Sequence, residues 1–426
     1  MAQCTDPRLR RSVIYELYVR SHTPQGTFRA VVPDLDRIAA LGVDIIWLMP
    51  IHPIGVKNKK GSFGCPYANR DYRTVNPEYG TLEDFLFLVE EIHRRGMKCI
   101  IDVVYNHTSP DATLVTEHPE YFYTRADGTR GNKVGDWTDV VDLDYENRAL
   151  WQYQIETLCY WAQFVDGFRC DVASTVPVEF WREARRAVEA VRPGAVWLGE
   201  SVHLAHIQAF RSLGHYAATD TELFTAFDIL YPYDLWPLYE GVTEGRLPLS
   251  RWFDAVEYQE VSFDSHYNKL RCLENHDTAR AAARFPQQKQ LLAWTALCYF
   301  MKGTTLLYAG QEVCAAHTPS LFEKEPIDWQ GGRDISPYLA RLAAIKKALP
   351  TDALFRITAD DACGIVTAHY TAPDACAVGV FPLAGQGGTA AVPLPDGPYT
   401  DALSGQTVTV AGGLLPIGDC PLILLP

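Results

Sequence analysis

The sequence lacks the features that would send the chain to a membrane, a nucleic acid or a nucleotide. No window approaches the roughly 18–20 unbroken apolar residues of a membrane-spanning helix. The longest apolar run, VDIIWLMPIHPI, is interrupted by an Asp, a His and two Pro. The opening residues, MAQCTDPRLRR, contain no apolar core of a secretory signal. Basic side chains are in the minority, 38 Lys and Arg against 52 Asp and Glu, which leaves a formal charge of −14. A surface so acidic does not suit nucleic acid or an anionic membrane as partner, and its plain consequence is solubility. CxxC spacing is missing too. The 11 cysteines are odd in number and scattered, and Cys99, Cys170 and Cys272 sit inside strand-like apolar runs. They read as small buried hydrophobes of a reducing compartment, so the expected location is cytoplasmic. No GxGxxG follows the first strand-like run, and there is no phosphate-cradling loop and no Ser nucleophile elbow.

What is present is a long alternation of short apolar runs with helical patterns. The strand-like runs cover 13–19, 43–49, 98–104, 164–172, 195–200, 269–277 and 304–310, with a weaker one at 223–230. Between them lie stretches such as LEDFLFLVEEIHRRG, whose apolar residues recur at helical spacing and whose Gly96 stands where a helix-ending glycine would. Near-continuous apolar strands alternating with helices predict a parallel sheet covered by helices, and eight such units predict a closed (β/α)8 TIM barrel. Residues 106–144 interrupt the alternation with a long Gly-, Asp-, Thr- and aromatic-rich excursion, of the kind that is usually functional. Past about residue 352 the pattern becomes short alternating strands and turns, which predicts a small C-terminal antiparallel β domain. The expected organisation is a catalytic barrel at 1–105 and 145–351, an insertion (domain B) at 106–144, and a β-sandwich at 352–426.

Barrel enzymes carry their chemistry at the C-terminal ends of the strands. There this sequence places polar residues that are costly to bury: Asp102, Asn106 and His107; Arg169 and Asp171; Glu200; and Glu274, His276 and Asp277. Any one of them has a bland reading as a structural ion pair or a satisfied core histidine. Carboxylates on four strand ends, converging on one rim with an arginine and two histidines, point instead to chemistry. Glycoside hydrolysis needs such a set. One carboxylate attacks the anomeric carbon, and a protonated carboxyl supplies the leaving oxygen with its proton. A neighbouring arginine is expected to lower the pKa of the nucleophile, and desolvation to raise that of the proton donor.

The segments DVVYNH (102–107), GFRCDVA (167–173), GES (199–201) and ENHD (274–277) resemble the four signature regions of the α-amylase family, glycoside hydrolase family 13. LLYAGQE (306–312) resembles its eighth strand, PYANRDYRTVNPEYGT (66–81) its loop after strand 2, and DVVDLDY (139–145) the end of its domain B. The resemblance implies a retaining hydrolase with Asp171 as nucleophile, Glu200 as general acid/base and Asp277 as the third acid. It implies that Arg169 orients the nucleophile, that His107 and His276 hold sugar hydroxyls, and that Tyr67 stacks under the sugar. Asp102 and Asn106 complete the first region. The implied substrate is an α-glucan oligosaccharide or polysaccharide, maltodextrin or starch, cut at α-1,4 bonds.

Departures from the family pattern bear on specificity. Exo-acting α-glucosidases of the family usually carry an Asp after the stacking Tyr; here it is Ala68, which favours an open cleft. The residue after the nucleophile is Val172, as in α-1,6-specific relatives, and Ser174 and Thr175 replace the Lys-His pair of many α-amylases. An α-1,6-active oligosaccharide glucosidase and an α-glucan transglycosylase therefore stand as alternatives. A catalytically silent carbohydrate-binding relative is a more distant one, disfavoured because all three acids are present. Asn106 and Asp142 match positions that bind a structural Ca2+ in some members. The expectation is that no metal or other cofactor is required.

Overall fold

The computed structural model of the chain describes residues 5–133, 137–350 and 353–426. Ten strands precede residue 310: β1 (Val13–Leu17), β2 (Ile45–Leu48), β3 (Lys98–Val103), β4 (His107–Thr108), β5 (Val141–Asp142), β6 (Gly167–Cys170), β7 (Val196–Gly199), β8 (Ile229–Leu230), β9 (Leu270–Arg271) and β10 (Thr304–Tyr308). Eight of them form one parallel sheet in the order β8-β7-β6-β3-β2-β1-β10-β9. A parallel bridge from Leu230 to Lys269 joins its two edges, so the sheet closes into the expected barrel. Strands β1, β2, β6 and β7 are buried throughout, because helices cover them on the outside and side chains fill the inside.

Local chemistry sets the helix ends. Thr81 and Asp84 cap the helix Leu82–Arg94 reciprocally, and Gly96, at φ 76°, stops it in the left-handed conformation. The helix Val178–Val191 buries Val178, Trp181, Ala184 and Val188 along one stripe. The helix Gln288–Phe300 is instead buried on nearly all sides, from Ala293 through Phe300, because the barrel lies against one side and the C-terminal sheet against the other.

Two predicted strands are much shorter than their apolar patterns. Of 269–277 only residues 269–271 pair in the sheet, and the rest leaves it to carry ENHD into the barrel mouth. Of 223–230 only Ile229–Leu230 pairs, because Asp220–Leu223 is a capped helical turn. The excursion after β3 is pinned by the antiparallel pair β4–β5, with His107 opposite Asp142. Part of it, residues 134–136, and the expected C-terminal boundary at 352 lie outside the described residues.

Eight further strands follow: β11 (Leu354–Asp360), β12 (Ile365–Ala372), β13 (Ala375–Pro382), β14 (Gly388–Ala391), β15 (Gly397–Thr400), β16 (Thr407–Val410), β17 (Leu414–Ile417) and β18 (Leu422–Leu424). They form a four-stranded antiparallel sheet, β11-β12-β13-β18, and the pairs β14–β17 and β15–β16. One face of the sheet joins the barrel core through Phe300, whose ring lies 5.5 Å from Tyr370 and 5.6 Å from Phe381. Its other face, Ile365, Val378 and Val380, packs on Leu415 and Ile417 of β17. Among the described residues no helix is long and apolar enough to cross a membrane.

Candidate active site

The site is built around one guanidinium. β6 begins at Gly167 because a Cβ there would stand 2.1 Å from the Val196 carbonyl oxygen. Two residues on, Arg169 points into the barrel and is completely buried. Its Nη1 donates to both oxygens of Asp102, at 3.0 and 3.1 Å, and to Oδ1 of Asp171 at 2.8 Å. Its Nη2 lies 2.9 Å from Oε2 of Glu200. Asp102 is the register partner of Arg169 on the neighbouring strand, so backbone pairing alone brings these two together. Trp47, Tyr67 and Tyr231 surround the cation with ring faces at 5.1–5.6 Å. Cys170, between the two charged residues, is buried beside Tyr105 and Tyr145, which pack on Phe180 of the covering helix.

Three carboxyls around one cation leave a surplus of negative charge in a dry place. Burial, and then the charge of Glu200, drive the Asp171 carboxyl well above the usual carboxylate range, with Arg169 opposing. Burial likewise pushes Asp102 up to about 6 against the same guanidinium. The expected lowering of the nucleophile's pKa is therefore reversed in the free site. One arginine cannot offset both burial and two neighbouring acids.

Directly after Asp171 the chain turns sharply. Val172 adopts φ 43° and ψ 43°, a left-handed conformation that β-branched residues rarely take. The turn aims the Val172 N–H at Oε2 of Glu200, 2.8 Å away. Ala68, by contrast, is buried and bonds within its own loop.

A second cluster faces the first. The Tyr67 ring stacks on His276, centroids 5.4 Å apart and 15° from parallel. Its hydroxyl donates to Asp102 at 3.1 Å and lies 2.7 Å from Nε2 of His276. The same Nε2 is 3.2 Å from Asp277, a half-exposed carboxylate. On the far side of the ring, Nδ1 lies 2.5 Å from Oε1 of Glu16, a fully buried residue of β1. Burial disfavours the charged ring, but Asp277 and Glu16 overcome it and push His276 up to about 9. His107 behaves oppositely: burial pushes it down to about 4. Its Nδ1 accepts from Asn106 Nδ2 at 3.0 Å, which leaves Nε2 as the N–H, 4.0 Å from Asp171.

The expected residues Tyr67, His107, Asp171, Glu200, His276 and Asp277 line one cavity of about 290 Å3. Asp102 and Arg169 do not line it; both are buried and connect to it through Tyr67 and Asp171. Glu274 lies elsewhere, buried and paired with Arg280 at 2.7 Å. Lys60 and Asp139, bridged at 2.9 Å, together with Trp137 and Phe322, wall the cavity, and sequence reasoning did not single them out. Glu16 was missed although it carries the same signal as Asp171, a carboxylate inside an apolar strand.

Asn106 and Asp142, the positions compared with a calcium site, serve different partners. Asn106 Oδ1 accepts from Thr175 Oγ1 at 2.7 Å. Asp142 Oδ2 accepts the Lys133 backbone N–H at 2.7 Å, while its Oδ1 is buried without a partner. Lys133 Nζ donates to the Leu143 carbonyl at 3.1 Å, placing an ammonium beside Asp142. Calcium takes six to eight converging oxygens. These side chains do not supply such a set, and among the described residues no three His, Cys, Asp or Glu gather as metal ligands.

A closed (β/α)8 barrel with acids clustered round an arginine at its mouth is the architecture of a glycoside hydrolase. Comparison with known proteins agrees. The α-amylase catalytic domain model matches residues 12–138 and 134–347, and the bacterial α-amylase C-terminal domain model matches 356–424. The chain belongs to the α-amylase family. It is similar to an α-amylase of Lactobacillus plantarum of known structure, with 42% identity, a TM-score of 0.96, and coverage of 99% of this chain and 100% of that one. Among curated proteins, the α-amylase MalA of Haloarcula japonica is 29% identical over 71% of this chain and 44% of its own length. An α-1,4-glucan:maltose-1-phosphate maltosyltransferase of Rhodospirillum rubrum is 28% identical over 92% of this chain and 60% of its own. The chain thus spans about half the length of these curated relatives.

Proposed function

We propose that the protein hydrolyses α-1,4 bonds of maltodextrins and starch-type α-glucans with retention of configuration. The observation that carries this reading is the guanidinium of Arg169, which binds Asp171 through one nitrogen and approaches Glu200 through the other beneath one cavity. Sharing one guanidinium keeps the two carboxyls on the same side of the cavity, as a retaining pair requires. Oδ1 of Asp171 is tied to Arg169, so the other oxygen, Oδ2, is the one free to attack the anomeric carbon. In its role as general acid, Glu200 gives its proton to the leaving oxygen. Glu200 then deprotonates the water that releases the glycosyl group from Asp171. The Tyr67 ring supports the sugar, while His107, His276 and Asp277 hold its hydroxyls.

The α-1,6-active alternative is favoured by one observation: Val172 lines the cavity. Transglycosylation is favoured by the similarity to the maltosyltransferase. Calcium has no part in the proposed reaction, since Lys133 supplies the positive charge beside Asp142. The 10 described cysteines are all free, which supports a reducing, cytoplasmic setting.

The test is product analysis after incubation with maltoheptaose, isomaltose, panose and pullulan, with Glu200→Gln as control. The expected result is shortening of maltoheptaose, slow attack on isomaltose, and loss of nearly all turnover in Glu200→Gln with oligosaccharide binding kept. Preferred cleavage of isomaltose, or normal turnover by the variant, would overturn the proposal.

A further inference from the structure

Glu16 belongs to none of the segments that carry the family resemblance, yet it is as deeply buried as Asp102. It is the fourth of the five residues of β1, between Tyr15 and Leu17, with no exposure. A carboxylate in that position must be paired or give up its charge. Among the described residues its one ion-pair partner is His276, through Nδ1 at 2.5 Å and the backbone N–H at 3.3 Å. Its second oxygen, Oε2, is buried without a hydrogen bond. The nearby guanidinium of Arg280 is committed to Glu274 and to the Ala309 carbonyl.

The imidazole of His276 thus lies between two acids, Glu16 at Nδ1 and Asp277 at Nε2. A neutral ring donates to Glu16 or to Tyr67 and carries no charge; an imidazolium donates to both and sets its charge 3.2 Å from Asp277. The choice also sets the hydrogen bond to Tyr67. With Nε2 protonated, Nε2–H donates to the Tyr67 oxygen, and the Tyr67 O–H is free to donate to Asp102, 3.1 Å away. With Nε2 bare, the Tyr67 proton turns to His276 and Asp102 loses a donor. Asp102 in turn shares Nη1 of Arg169 with Asp171. One buried acid on β1 is therefore linked to the attacking carboxylate through four intermediate side chains.

We propose that Glu16 is a positioning residue that holds His276 as an imidazolium, so that His276 fixes Asp277 and orients the Tyr67 hydroxyl toward Asp102. Glu16 touches no substrate; it acts through His276. The proposal rests on the hydrolase reading for its catalytic consequence, although the ion pair itself does not depend on that reading. The charged and titratable groups around the ring are Glu16, Asp277, Asp102, Tyr67 and Arg169, with Tyr231 and Tyr308 facing Glu16. Asp277 and Glu16 favour the charged ring; burial and Arg169 oppose it.

The experiment is a histidine side-chain NMR titration of the full chain, with His276 assigned by loss of its signal in His276→Gln. In the wild type His276 is expected to titrate above pH 8. In Glu16→Gln, which keeps the shape and removes the charge, it is expected to titrate at least one pH unit lower. The alkaline limb of kcat/KM on maltoheptaose then moves the same way, so the variant loses about tenfold more activity at pH 9 than at pH 6. A purely structural Glu16 would lower activity equally at all pH values. Wild-type titration at the ordinary histidine value, or an unmoved titration in folded Glu16→Gln, would overturn the proposal. If Glu16→Gln does not fold, Asp277→Asn serves in its place, because losing the other carboxylate must also lower the titration. Absence of α-glucan turnover in the wild type would sink the hydrolase reading while leaving the histidine titration readable.

Discussion

Asp102→Asn probes the charge crowding beneath the cavity. Asp102 and Asp171 bond to the same Nη1 of Arg169, at 3.0 and 2.8 Å, so their oxygens lie no more than about 6 Å apart. At an effective dielectric of about 20, two unit charges at that distance repel by about 3 kcal/mol, or about two pH units. Asp102 is thus one of the causes that hold the Asp171 carboxyl high, after burial and Glu200. Asparagine keeps the shape and removes the charge, so the Asp171 pKa must fall. The nucleophile acts ionised, and its pKa sets the acid limb of the pH–rate profile. That limb should move to lower pH by one to two units in kcat/KM on maltoheptaose, measured from pH 4 to 9. The full two units are not expected, because Asp102 itself titrates at about 6 and its charge fades below that. The absolute rate should fall as well, since Tyr67 loses its anionic acceptor and Arg169 loses one of its three carboxylate partners. An acid limb that stays in place or moves upward in the folded variant would refute the reasoning.

Lys346 is buried, donates to the carbonyls of Tyr299 and Met301, and is pushed down to about 7 by burial. From about pH 7 to 10.5 the unfolded chain binds a proton there that the folded chain does not, so stability from this group rises with pH by about 1.4 kcal/mol per unit. Lys346→Met should remove that rise, and equal slopes of melting temperature from pH 7 to 9 in both proteins would contradict it. Chelation with EDTA should leave the melting temperature and the activity unchanged, because Lys133 stands beside Asp142; a fall of several degrees, restored by calcium, would show a site that these side chains do not suggest.

Much of the site was legible because burying charge is expensive. Arg169, Asp171 and Glu200 betray themselves as polar residues ending apolar strands, and strand periodicity alone puts Arg169 and Asp171 on one side. The same logic applied to Glu16, but that residue lies in the middle of the apolar run 13–19, and the run gives no sign that the strand stops at Leu17. What spacing cannot convey is how many acids share one cation, and for that reason the direction of the Asp171 shift came out opposite to expectation. The left-handed turn at Val172 was hidden too, since a β-branched residue gives no sign of it. In the C-terminal part, β11 and β17 leave only a short apolar alternation in the sequence, because Phe355 and Ile357, or Leu415 and Ile417, face inward while the residues between them face solvent.

The most direct test of Asp171 as nucleophile uses Glu200→Gln with α-maltosyl fluoride. Fluoride leaves without a proton, so the first step proceeds, while loss of the base slows the water that would complete the second. A maltosyl-enzyme should then accumulate, and peptide mapping by mass spectrometry should place one maltosyl group on the peptide that contains Asp171. A label on any other residue, or release of β-maltose with no label at all, would contradict a retaining mechanism through Asp171.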